Sequence, residues 1–138
     1  MGLYLCVFDA SGNELEGVEV GSYADFNFFR DAVVAVVEKG RLGAVCPVLN
    51  NHPDSDGEWS SSESKQLITE LDQVIEGFSQ CPPVEYNSHW KRQIAKTFGI
   101  KPLTLLECFF DVDGEPLIER LQQLAKVSVE SGQPVLFQ

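Results

Sequence analysis

The chain has 138 residues, 43% hydrophobic and 22% charged, the balance of a soluble globular protein in which one domain buries about two thirds of its unfolded surface. Twenty-one acidic residues against ten basic give a net charge of −11, which excludes the basic footprint that nucleic acid requires and suits solubility or steering toward a basic partner. No apolar run approaches a membrane span and residues 1–20 lack a basic start and a cleavage site, so residues 1–138 read as one cytoplasmic domain away from the membrane.

Leu3 to Phe8 (LYLCVF) predicts a strand. Asp9, Ser11, Gly12 and Asn13 are turn formers, and Leu15 to Val20 alternates apolar with acidic residues, so residues 3–21 read as a hairpin. Ser22 and Asp25 match capping-box spacing, and a helix runs to about Lys39, where Gly40 supplies a left-handed stop. Phe26, Phe29, Val33, Val36 and Val37 share one face. Phe28 and Val34 lie off it, so this helix is either widely buried or offers an apolar contact.

Gly43 to Leu49 (GAVCPVL) predicts a third strand, at an edge or cut short because Pro47 cannot donate to a ladder. A polar, acidic loop covers Asn50 to Trp59. Ser60 with Glu63 is a second capping box, and Leu67, Ile68, Leu71, Val74, Ile75 and Phe78 then keep the helical period until Cys81-Pro82-Pro83. After an extended connector to Asn87, Ser88 caps a shorter helix carrying Trp90, Ile94 and Phe98 and closed by Gly99. Lys91, Arg92, Lys96 and Lys101 balance charge internally here.

Leu103 to Phe110 predicts a fourth strand. A helix from about Pro116 to Glu130 follows, with Leu117, Ile118, Leu121, Leu124 and Ala125 on its core face, and Val135 to Phe137 is a short last strand. The order β-β-α-β-α-α-β-α-β describes an α+β domain: a mixed sheet of four or five strands covered by helices near 23–39, 61–79, 88–98 and 116–130.

Cys6, Cys46, Cys81 and Cys108 are widely separated and form no C-x-x-C, so they read as buried free thiols, with zinc or thiol catalysis as the alternatives. His52 and His89 have no acid–nucleophile neighbours and default to surface or capping roles.

The string D-x-D-G-E occurs twice, at Asp54 to Glu58 and Asp111 to Glu115, each time between a strand-like run and a helix. Short acidic side chains bond nearby N–H groups and glycine accepts positive φ, so turn-forming and helix-capping alone account for both. The run Phe109 to Gly114 is similar to the first motif of haloacid-dehalogenase-type phosphatases. That reading fails, because Glu115 stands where the motif has threonine and residues 116–138 are too few for the remaining catalytic parts. An EF-hand loop with Gly57 sixth places Asp54 third, Asp56 fifth and Glu63 twelfth, but puts His52 where a carboxylate belongs. The second string, aligned likewise, puts Phe109 first and Arg120 twelfth. No nucleophile or oxyanion pattern accompanies the carboxylates, so no catalytic residue, metal or cofactor is assigned.

The strings GLYLCVFD, EGVEVGSYADFNFFRD, DGEWS, DVDGEPLIERL and PVLFQ together resemble one of the small α+β immunity-protein families of bacterial polymorphic toxin systems, across nearly the whole chain. The resemblance implies a non-catalytic protein that binds and neutralises a cognate toxin, commonly a basic enzyme acting on nucleic acid. The physical reading adds an expected partner-binding set. Asp54, Asp56 and Glu58 stand beside Trp59, and Tyr23 beside Asp25, as carboxylates next to aromatic anchors, with core packing as the alternative for both rings. Asp111, Asp113 and Glu115 form a second acidic corner. A small metal- or ligand-binding module using the D-x-D-G-E loops is the competing class.

Overall fold

The computed structural model describes residues 2–53, 56–86 and 88–138. Strand β1 (Gly2–Phe8) pairs antiparallel with β2 (Glu14–Ser22), as the turn chemistry between them predicts. Asp9 closes the turn by accepting the N–H groups of Ser11 and Asn13 at 2.9 and 2.8 Å. Five helices lie among the described residues: α1 (Tyr23–Val36), the single turn α2 (Pro47–Asn50), α3 (Ser61–Ser79), α4 (His89–Phe98) and α5 (Leu117–Ser131). Strands β3 (Glu58–Trp59) and β4 (Val135–Phe137) complete an α+β architecture around one four-stranded sheet in the order β2-β1-β4-β3.

Both capping boxes form. Asp25 N–H donates to Ser22 Oγ at 3.1 Å and Ser22 N–H donates back to the Asp25 carboxylate at 3.2 Å. Ser60 and Glu63 repeat the exchange at 3.0 and 3.1 Å. Each box satisfies two helix N–H groups that would otherwise lack partners, worth about 1 kcal/mol per cap. Helices α4 and α5 end on left-handed Gly99 and Gly132. The core joins Leu3, Leu5 and Val7 of β1 to Phe26 and Phe29 of α1, Leu67, Leu71 and Phe78 of α3, and Leu121 and Leu124 of α5. Phe109 sits at its centre, 5.3 Å from the Phe29 ring and 5.5 Å from that of Phe78. Phe28 also reaches Phe109, at 6.1 Å, so α1 is the widely buried helix of the two alternatives.

Four expectations change. Every strand pair is antiparallel, so the sheet is not mixed: the excursion from β3 through three helices returns the chain as β4, running against both β3 and β1. Residues 43–49 make a turn and α2, not a strand. Pro47 opens the helix turn, where its missing N–H costs nothing, and two buried carboxylates take the backbone donors a sheet would have used. Glu38 accepts from Val45 N–H at 2.9 Å and Cys46 N–H at 2.8 Å, while Glu70 accepts from Val48 and Leu49 N–H at 3.2 and 3.1 Å.

Residues 103–110 likewise wind into a 3-10 turn (Leu105–Cys108), anchored where Leu105 N–H donates to Cys81 O at 2.9 Å. Finally, α4 is rolled relative to its apolar stripe. It buries Lys91 and Ala95, with the Lys91 ammonium 5.3 Å from the centre of the Phe109 ring, and leaves Phe98 56% exposed.

Strand β3 falls inside the expected loop, because two residues are too few to show an alternation. It pairs Trp59 with Val135 of β4 and leaves the Trp59 ring fully buried. The indole N–H donates to Val48 O at 3.0 Å, and the ring meets Phe137 edge-on at 4.7 Å. Trp59→Ala should therefore lower the unfolding free energy by about 3–5 kcal/mol, read as a reduced urea midpoint at unchanged slope. A loss below about 1 kcal/mol would put the ring outside the core.

Candidate partner-binding surface

The two D-x-D-G-E corners fold differently and lie at opposite edges of the sheet. The first leads into β3, one edge strand. Asp54 lies outside the described residues. Asp56 and Glu58 are exposed, and Gly57 adopts φ +88°, with its carbonyl accepting Phe137 N–H at 3.0 Å. His52, the first position of the calcium alignment, has its two ring nitrogens 2.7 Å from Pro53 O and 3.0 Å from Glu58 O, and its ring stacks on Phe137 at 4.1 Å. Glu63, the twelfth position, serves its capping box. Two of the groups the alignment names as calcium ligands, His52 and Glu63, thus already hold the protein's own backbone.

Trp59, expected as an anchor beside these carboxylates, is instead interior, because strand pairing turns its side chain into the core while Glu58 points outward. Asp25 is corrected on the same ground. It is buried, capping α1 and accepting the Trp90 indole N–H at 2.7 Å. Burial works to raise the Asp25 pKa, but hydrogen bonds from Ser22 and Trp90 and the charge of Lys91 outweigh it and hold the carboxyl below its usual range. Trp90 can lie there because Gly21 has no side chain: a Cβ would sit 2.7 Å from the indole ring. Tyr23 is half-buried against the core.

The second corner is tied to β2, the opposite edge. Asp111 is buried, and its Oδ1 accepts the N–H groups of Asp113 and Glu115 at 2.9 and 3.0 Å. Its Oδ2 faces Arg120 Nε at 3.5 Å, and Arg120 in turn donates to Gly17 O of β2 at 2.8 Å. Val112 N–H adds a bond to Glu19 O at 3.2 Å. Asp111 is therefore the internal brace of the turn, while Asp113 and Glu115 project into solvent. Burial pushes the Asp111 pKa up, against the lowering pull of its two backbone donors and Arg120.

Beside this corner is a cleft of about 210 Å³ lined by Ile75, Ile100, Leu106, Phe109, Phe110 and Ile118. Glu107 and Glu119 line it as well, and so does Gly114 between Asp113 and Glu115. The cleft was not legible in sequence, because its walls come from α3, the 3-10 turn and the start of α5. One signal was present: Phe98, the last residue of α4, is followed closely by Ile100 and Leu103 in a connection with no strand or helix of its own to bury them.

All four cysteines are free. Cys6, Cys46 and Cys108 are buried, and burial raises their thiols, that of Cys46 to about 12, so they are protonated core groups. Among the described residues no group of three or more His, Cys, Asp or Glu is placed to hold a metal ion, and no helix is long and apolar enough to cross a membrane.

What this fold offers is a surface: exposed carboxylates at two corners and an apolar cleft beside one of them. A family model, Immunity protein 70, matches residues 3–137, and the chain belongs to that family. No curated protein and no solved structure matches it.

Asp111 gives a test with a definite sign. Its folded pKa is raised, so as pH climbs from below the ordinary Asp value of about 4, the folded state gives up this proton later than the unfolded state and loses stability from the group. The stability of the parent minus that of Asp111→Asn should therefore fall with rising pH above about 4 and then level off. A difference that instead rises as pH approaches about 4 from below and stays flat above it, in parallel urea titrations, would mean that Arg120 and the two N–H donors outweigh burial.

Proposed function

We propose that this protein binds and neutralises a cognate toxin domain in the cytoplasm, without catalysis of its own. Membership of the Immunity protein 70 family over residues 3–137 carries this reading. The net charge of −11 supports a basic partner, and Asp56, Glu58, Asp113 and Glu115, with Asp54, are the carboxylates proposed to steer it. Tyr23 is the one aromatic of the expected set that keeps part of its side chain at the surface. Trp59 and Asp25 hold the fold beneath that surface.

The test uses the C-terminal domain of the toxin encoded by the neighbouring gene. Co-expression with this protein should restore growth, and the purified pair should form a complex. Carboxylates at the rim act on encounter, so association should slow several-fold as salt rises and the Debye length falls below about 8 Å. Asp56→Lys/Glu58→Lys should lower the association rate more than the dissociation rate rises, with the melting temperature nearly unchanged. The absence of both growth rescue and a complex would overturn the reading.

A further inference from the structure

We propose that the cleft between α3, the 3-10 turn and the start of α5 is the anchoring pocket for the toxin, taking one large apolar side chain flanked by lysine or arginine. The inference rests on the toxin-binding reading and adds the place and chemistry of contact.

Volume sets the occupant's size. At about 210 Å³ the cleft is below the roughly 300–1,000 Å³ of small-molecule sites, yet ample for a single side chain. Its lining is mostly Ile, Leu and Phe, and exposed apolar side chains adjoin it along the chain and at Gly114. Leu103, three residues from cleft-lining Ile100 and Leu106, is 83% exposed. Phe98, 56% exposed, lies over Gly114, where a Cβ would come within 2.7 Å of its ring. Gly114 holds φ +77°, so the turn both demands glycine and lets the ring approach. Exposed apolar groups gathered around a concavity mark an interaction site more often than a scatter does.

Charge sets the occupant's surroundings. Glu107 and Glu119 line the cleft, and Asp113 and Glu115 flank Gly114 at its edge. Lys96 and Lys101 are the cations nearest in sequence to the exposed Phe98 and Leu103. An apolar floor under an acidic rim fits a buried anchor ringed by basic residues, the arrangement in which the anchor governs residence time and the rim governs encounter.

The experiment measures binding of the same toxin C-terminal domain by surface plasmon resonance. Leu103→Ala and Phe98→Ala should each weaken binding tenfold or more, mainly through faster dissociation. Leu103 is too exposed for its truncation to be a folding lesion, and an unchanged melting curve documents that. Glu107→Gln/Glu119→Gln should slow association and reduce its salt dependence. Leu42→Ala, which trims an exposed leucine on the α1–α2 connection (67% exposed), should leave binding unchanged.

If the parent binds but Leu103→Ala and Phe98→Ala bind equally well, the cleft is not the anchor while the toxin-binding reading stands. If the parent sediments as a dimer that these substitutions dissociate, with toxin affinity unaltered, the cleft serves a second copy of this chain and the inference is overturned. If the parent itself does not bind, the failure lies with the toxin-binding reading, and the cleft loses its proposed occupant with it.

Discussion

Two buried carboxylates determine how the first half of the molecule is held. Glu38, just beyond α1, and Glu70, in the middle of α3, are nearly inaccessible to solvent and form no ion pair among the described residues. Stripping water from such a group costs several kcal/mol. Glu38 recovers it with bonds from Val45 N–H, Cys46 N–H and the Asn50 amide, and Glu70 with bonds from Val48 N–H, Leu49 N–H and the Gln66 amide. At about 1.5–3 kcal/mol for each hydrogen bond to a charged acceptor, three bonds are of the same size as the penalty. The balance then tips differently at the two sites. Burial tends to raise both pKa values, but the hydrogen bonds win at Glu38, whose pKa is lowered, while burial wins at Glu70, whose pKa is raised.

Much follows from that pair. With its N–H groups claimed, the segment from Val45 to Asn50 needs no strand partner and curls into α2, leaving its carbonyls as fixed acceptors. Arg30 of α1 donates to Leu49 O at 3.2 Å and to His52 O at 2.5 Å. The Trp59 indole donates to Val48 O, which seats β3 against β4. The edge of the sheet that carries the first acidic corner is thus positioned through residues whose only regular structure is one helical turn.

This division explains what could be read from sequence. The β1–β2 hairpin, both capping boxes, α3 and the core face of α5 are encoded by residues a few positions apart, where turn chemistry and periodicity act directly. The apolar runs at 43–49 and 103–110 carry strand composition, yet their conformation is decided by partners far along the chain: Glu70 for the first, Cys81 O for the second. Short apolar runs do not distinguish a strand from any other buried segment, and distant hydrogen bonds settle the matter. Helix α4 shows a related limit. Its apolar stripe is real, but Trp90 is drawn to Asp25 and Lys91 to the faces of Phe109 and Phe110, so the helix rolls and Phe98 is left in solvent.

The repeated D-x-D-G-E string is the clearest case of one local code with two tertiary outcomes. In both copies the glycine takes positive φ and the residue after it is an exposed glutamate. What differs is where the chain goes next. At the second copy Asp111 meets Arg120 one helical turn into α5 and is drawn under the surface, whereas at the first Glu58 enters an edge strand and the next side chain, Trp59, is the one turned inward. Carboxylates that bind backbone amides build the turns, and those left in solvent supply the field of a chain with net charge −11. A field of that kind brings a partner to the surface without holding it there, because exposed ion pairs are worth little once solvated. Retention requires desolvated apolar contact. In this fold that contact is available where the second corner adjoins a cleft with apolar walls.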